Sequence, residues 1–375
     1  MRVLLVVPGG VTVDGRGDVI PVLASFVQSL ALQCGVCVLA VNDKRMATRD
    51  DAPQFTILNP GRRRWPLLGV LCDTASAQRS LISLGFDFDI VHSFWLGRPS
   101  TITWLLPARR SKPWIASVGG QELRTDRIRS LRFAARQKIR LRNRVALSRA
   151  DLITAGSTGL IAEIEANGHS AMWWPLFPDT AEFSPAESIS ARSNGPFRII
   201  TVADHNEAKD PLTLLRTIQE LRRRGHNVHL DWIGRELQPG RSMNLASRLG
   251  VADCVRILGH MAHRDIPRHL RSADLYLQSS RYESQGVSVC EAAACGLPVV
   301  GTSTGILPEL SPEGAIAVQP RDSVGLANAV ERVIADPECR NELRRGATQW
   351  MSGYSLEWTV NKALETYQTL LAQAK

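Results

Sequence analysis

No apolar run in these 375 residues approaches the roughly 18 consecutive positions of a membrane span. Residues 3–7 are apolar but end at Pro8, too short a core for a signal peptide, so the chain is expected in the cytoplasm. Cysteine is thinly spread: seven, an odd number, scattered from Cys34 to Cys339, argue against a disulfide framework. Cys34 and Cys37 make a CxxC, yet it runs into apolar residues 38–41, and no second CxxC or His pair completes a zinc site. Aromatic residues are only 6% and no RNA or DNA signature is present, so nucleic acid is not an expected partner. A dinucleotide fingerprint also fails, because Gly15 and Gly17 are followed by Ile20 where the third glycine belongs. Asp87 and Asp89 have the spacing of a metal-binding Asp-x-Asp, but they lead into apolar Ile90 and Val91 as a strand approach does. No metal and no cofactor is therefore expected.

With 44% hydrophobic and 22% charged residues the chain is that of a globular protein, and its length implies two domains. The net charge of +9 points to an anionic partner without saying which. Apolar strand runs alternate with helical spacing throughout, which predicts parallel sheets covered on both faces. A first α/β domain is expected over 1–178, a linker rich in Pro, Ser and Ala over 175–192, a second α/β domain over 179–354, and a last helix over 355–375 that packs on the first domain. Ligands of such sheets bind beyond the strand C-termini. That singles out Gly9 and Gly10, the stretch from His92 to Trp95, Gly119 with its followers, and residues 156–158. Nine of residues 124–144 are Lys or Arg, with Arg124 and Arg144 at the two ends and a single acid, Asp126. This reads as a basic amphipathic helix or helix pair, suited to an anionic membrane surface or an acidic acceptor, or equally as a solvated basic face. Residues 61–66 form a second basic cluster around Trp65.

Residues 279–305, SSRYESQGVSVCEAAACGLPVVGTSTG, organise the rest. They place Glu283 and Glu291 eight positions apart across a loop-to-helix junction, with Gly286 at the turn and a strand on either side. A helix N-terminus there would aim free N–H groups at an anion. The predicted helix is small and apolar, so a carboxylate at its centre needs hydrogen-bond donors, for which ribose or sugar hydroxyls are suited. The plainer reading, Glu291 on a solvent stripe and Glu283 an ordinary loop acid, stands beside it.

The E-x7-E pair followed by EAAACGLPVVGTSTG resembles the family 4 retaining glycosyltransferases. Gly9 and Gly10 after the first strand, Lys209-Asp210-Pro211 before a Leu-rich helix, Ile233-Gly234, Leu258-Gly259 and Ala273-Asp274 fall in that family's order over nearly the whole chain. The resemblance implies a GT-B fold of two facing Rossmann-like doubly wound domains, and metal-independent transfer of a hexose-type sugar from a nucleoside-diphosphate-sugar donor. The acceptor, a sugar, lipid-linked or small molecule, would be held on the first domain. Among site residues, the resemblance implies Glu283 at the donor sugar, Glu291 at the ribose, and Lys209 at the diphosphate leaving group. It puts the amides of Gln285, Gly286 and Val287 at the phosphates or sugar, Gly9 and Gly10 in close main-chain approach to the diphosphate, and Gly259 and His260 near the base.

Two positions depart from the pattern. Where relatives carry Gly-Arg-Leu before the lysine, this chain has Ala203, Asp204 and His205, so Arg281 or Arg235 would have to supply the second cation. Where relatives carry His-Gly beside the reacting sugar, it has Gly119-Gly120-Gln121-Glu122. His92 is the replacement candidate for catalysis, with a purely structural histidine as the competing reading. These losses keep open a nucleotide-sugar-binding protein without transferase activity, and a sugar-nucleotide epimerase on the same scaffold. The basic segment adds a peripheral position at the inner face of the membrane as an alternative location.

Overall fold

The computed structural model describes residues 1–13, 20–41, 48–61, 68–124, 133–186 and 195–374. Gly15, Gly17, most of the 61–66 cluster, residues 125–132 of the basic segment and residues 187–194 of the linker lie outside the described residues. The chain divides into two compact units, Met1–Leu176 with Leu356–Lys375, and Phe177–Ser355.

In the first unit the strands are β1 (Arg2–Val7), β2 (Gly35–Ala40), β3 (Thr48–Asp51), β4 (Phe55–Asn59), β5 (Ile90–Phe94), β6 (Trp114–Val118), β7 (Leu152–Ala155) and β8 (Met172–Trp173). They form one sheet in the order β3-β4-β2-β1-β5-β6-β7-β8. Every described pairing is parallel except β3 on β4, at the sheet edge. β1 and β5 are buried along almost their whole length because helices cover both faces, which is why they read as continuous apolar runs. The helices are α1 (Pro21–Ala31), α2 (Leu68–Leu84), α3 (Arg98–Leu105), α4 (Phe133–Arg149) and α5 (Thr158–Ala166).

The second unit holds β9 (Phe197–Val202), β10 (Val228–Ile233), β11 (Val255–Gly259), β12 (Leu275–Gln278), β13 (Val299–Thr302) and β14 (Ala315–Val318). Its sheet is parallel throughout, in the order β11-β10-β9-β12-β13-β14. The order reverses between β9 and β12, and in a doubly wound sheet that reversal opens a crevice at the strand C-termini. Its helices are α6 (Pro211–Arg223), α7 (Arg241–Arg248), α8 (Ile266–Arg271), α9 (Val287–Ala294), α10 (Leu307–Leu310), α11 (Ser323–Ala335) and α12 (Pro337–Ser352). The last helix, α13 (Leu356–Gln373), buries Val360, Ala363 and Tyr367 in the first unit's core beside Phe26 and Leu30 of α1. The sequence pattern does not mark β3, β4, β8 and β14: β3, β8 and β14 are edge strands of four, two and four residues, and the apolar run of β4, FTILN, is broken by Thr56 and Asn59.

Candidate functional site

Both loops that leave the β9/β12 reversal carry chemistry. After β9, the side chain of Asn206 turns the chain by accepting from the Ala208 and Lys209 amides at 3.0 and 3.2 Å. Asp210 follows in a left-handed conformation, φ 51°, and caps α6 by accepting from the Thr213 amide and hydroxyl. After β12, the Arg281 amide donates to the Ala208 carbonyl at 2.7 Å and the Ser279 hydroxyl donates to the Lys209 carbonyl at 2.8 Å. Thus stitched together, the loops bring Lys209 Nζ within 2.6 and 2.8 Å of the two Glu283 carboxylate oxygens. Glu283 also accepts from the Ser280 hydroxyl at 2.7 Å. Sequence pattern marks neither Ser280 nor Asp210 as a site residue: Ser280 acts through a contact three residues along the same loop, and Asp210 through Arg281, 71 positions away.

Glu283 leads into α9, whose N-cap is Gly286 in a left-handed turn, φ 86°, with no side-chain cap on the first-turn amides. The Gln285 carbonyl accepts from the Ile306 amide at 2.6 Å, which pins this loop to the turn after β13. Glu291, 5% exposed, lies on the body of α9 among buried Val289, Cys290 and residues 292–294. Its Oε1 is 2.6 Å from Nε2 of His263, which sits in the turn before α8. Burial opposes charge on His263, but the Glu291 carboxylate prevails and holds the imidazole above its ordinary value. The solvent-stripe reading of Glu291 is thus excluded. His260, three residues earlier, is exposed, and Gly259 adopts φ 71° with its carbonyl accepting from the Gly234 amide. The family pattern singles out His260 and not His263, since two histidines in one loop look alike until the fold shows which faces inward.

Both cations proposed to replace the missing arginine are already paired with acids. Arg281 lies against Asp210, Nη2 to Oδ1 2.9 Å and Nε to Oδ2 2.8 Å, and reaches Glu207 at 3.2 Å. Burial pushes the Asp210 carboxyl up, but Arg281 and Thr213 together bring it below the usual carboxylate range. Asp204 points at Arg235, accepting from its amide at 2.8 Å with the guanidinium at 3.3 Å. His205 stacks on Trp232 at 3.8 Å and meets the Ser242 hydroxyl at 2.7 Å; burial lowers its pKa.

In the first unit the candidate His92 has to be corrected. It is 1% exposed, stacks on Phe94 at 4.3 Å, and has both ring nitrogens occupied, Nδ1 by the Tyr367 hydroxyl and Nε2 by the Ser117 hydroxyl, each at 2.7 Å. Burial pushes its pKa down to about 3, so it is a neutral core group with no nitrogen left for a substrate. Gly9 and Gly10 follow β1 with φ 121° and 75°. Glu122, in the loop that lacks the family histidine, is pushed up to about 7 by burial. Asp89 accepts from the Arg2 amide at 2.7 Å and Asp87 faces Lys112 at 3.4 Å, the strand approach that the sequence implied. Among the described residues no group of three His, Cys, Asp or Glu is placed to hold a metal ion.

Residues 185–350 match the model of the family described as glycosyl transferases group 1. The chain is 27% identical over 350 residues to the D-inositol 3-phosphate glycosyltransferase of Salinispora tropica, covering 84% of this chain and 71% of that protein. Among solved structures it resembles the sucrose-phosphate synthase of Thermosynechococcus elongatus, with a TM-score of 0.81 at 17% identity over the whole of both chains. It also resembles the Anabaena protein HepE in complex with UDP, TM-score 0.76 at 16% identity, over 98% of this chain and all of that one. The two structural likenesses give the fold, GT-B, and the sequence matches give the kinship of residues 185–350, which form a group 1 glycosyl transferase domain, the family 4 type.

Proposed function

We propose that the protein moves a hexose-type sugar from a nucleoside diphosphate to a hydroxyl acceptor with retention of anomeric configuration. The observation that carries this reading is the Lys209–Glu283 pair at the β9/β12 reversal, beside the uncapped N-terminus of α9. The ammonium and the first-turn amides supply positive potential where a diphosphate would gather charge as it departs. In this reading Lys209 passes from Glu283 to the diphosphate when donor binds, and the carboxylate so released accepts from the sugar hydroxyls. Glu291 takes the ribose hydroxyls, and the main chain at Gly259 and His260 borders the base. Retention then needs only that the leaving diphosphate shield one face of an oxocarbenium-like sugar. Transfer assays with UDP-, GDP- and ADP-sugars and a panel of sugar acceptors test the reading: E283A and K209A should each lower transfer by about 10²-fold or more while remaining folded, and full turnover by both would overturn it.

Because Arg281 and Arg235 are committed to Asp210 and Asp204, the reading of a donor-binding protein without transferase activity has its own support. Donor binding without transfer or donor hydrolysis by the wild-type chain would favour it. A peripheral contact with anionic lipid through residues 124–144 also belongs here, supported by exposed Lys138, Leu141 and Arg144 on α4. No described helix is long and apolar enough to cross a membrane. Flotation with phosphatidylserine vesicles, absent with neutral ones and lost in K138E/R144E, is the result this contact requires.

A further inference from the structure

α9 carries one charged residue in a run of small apolar ones, and that residue, Glu291, is buried. A carboxylate there needs an opposite charge, and the only ion pair described for it is with His263 at 2.6 Å through Oε1. The histidine is itself held in place. Its ring packs on Phe183 at 4.9 Å, and Phe183 is 1% exposed, so the imidazole has little freedom to leave the carboxylate. The groups that face the pair are few. Glu182, on the segment entering the unit, adds to the field that keeps a proton on His263. Tyr276 of β12, Cys290 of α9 and Cys295 just beyond it feel the Glu291 charge, and burial raises all three further out of the neutral range.

We propose that His263 is the positioning residue of donor binding: as an imidazolium it fixes Oε1 of Glu291, so that Oε2 presents a preorganised, charge-balanced acceptor to the ribose diol. The inference rests on the reading of Glu291 as the ribose acceptor. Its consequence is a proton linkage in donor affinity. The carboxylate partner raises the proton affinity of His263 above the ordinary value of 6.5, so the imidazolium is complete at acid pH and is lost as pH rises through that raised value. Nucleotide should bind tightest while the proton is present.

The test is calorimetric titration of the full chain with UDP, GDP and ADP from pH 5.5 to 8.5, in wild type, H263Q and E291Q. The terminal phosphate of each nucleotide titrates in the same range, so the readout is the ratio of wild-type to H263Q affinity, in which that titration cancels. The ratio should be about tenfold at pH 6 and should fall towards one at alkaline pH, because Gln retains an N–H donor and lacks the charge. A ratio that stays constant across the range, or equals one throughout, overturns the inference. E291Q keeps the two failures apart: weaker binding by E291Q with H263Q like wild type rejects the role of His263 alone, whereas wild-type binding by E291Q, or no binding of any nucleotide, rejects the ribose reading and the inference together.

Discussion

Lys209 and Glu283, 74 positions apart in sequence, form a two-pronged ion pair with 2.6 and 2.8 Å contacts at the mouth of the second sheet. The carboxylate side chain is 9% exposed and the lysine 25%, so the pair is only partly screened by water. Transfer should fall by about 10²-fold to 10³-fold in K209A, the range seen when a group stabilising a developing negative charge is removed. Stability should fall by roughly 1–3 kcal/mol, because Ser280 still donates to the orphaned carboxylate. Initial rates on the donor that binds, together with a thermal melt, separate the two effects. A K209A protein that melts early and turns over normally would make the pair structural.

Gly305 sets the position of that carboxylate from behind. It adopts φ 60°, and a β-carbon there would overlap the Gln285 carbonyl and lie 2.6 Å from Cβ of Glu283. Neither neighbour can yield easily, since the same Gln285 carbonyl is bonded to the Ile306 amide. G305A should therefore shift the Glu283 loop, costing about 1–3 kcal/mol in stability and about 10²-fold in turnover. Gly301→Ala makes a poor control because it would crowd Leu307, whereas Gly168→Ala, at φ 84° with open space around it, carries the backbone strain without the clash and should leave turnover unchanged. Equal turnover in G305A and wild type would show that the loop tolerates displacement.

How legible was this in the chain itself? The alternation of apolar strands with helices, the glycine turns and the E-x7-E spacing are local, and local pattern carried the architecture and the family. The pairings at the site are not local. Lys209 meets Glu283 and Arg281 meets Asp210 because the strand order reverses between β9 and β12, while His263, in the turn after β11, meets Glu291 of α9 from 28 positions away, and no spacing rule encodes which of several nearby acids or histidines faces inward. His92 shows the opposite error. A histidine at the C-terminal end of a parallel strand looks functional, but Tyr367, brought in by a helix 275 residues later, turns it into core.

Asp204 stands where a cation was expected, yet it faces Arg235 through both main chain and side chain. Asn keeps the acceptor for the Arg235 amide and removes the charge. D204N should leave transfer unchanged within roughly twofold, or raise it by relieving repulsion of the diphosphate, with a stability change of about 0.5–1 kcal/mol at most for so exposed a pair. Steady-state rates decide the point. A loss of tenfold or more would place Asp204 in the machinery instead of beside it.

His92 makes a prediction in pH that no surface histidine would. It is neutral in the folded protein, with its pKa depressed by burial to about 3, and takes up a proton near 6.5 once the chain unfolds. Between those values the unfolded state binds the extra proton, so stability rises with pH, and the contribution present above 6.5 is lost as pH falls towards 3. The slope from this group is about 1.4 kcal/mol per pH unit. H92Q should be less stable than wild type at pH 7.5, having lost the fitted contacts to Tyr367 and Ser117, and the gap should narrow steadily from pH 6.5 to 5. Y367F should be destabilised by about 1–3 kcal/mol, since it strands a buried ring nitrogen. Turnover per folded molecule should be untouched in H92Q. Denaturant melts of H92Q and wild type at pH 7.5, 6.5 and 5 check the linkage, and a gap that is constant with pH would mean that His92 is charged in the folded protein or reachable by solvent.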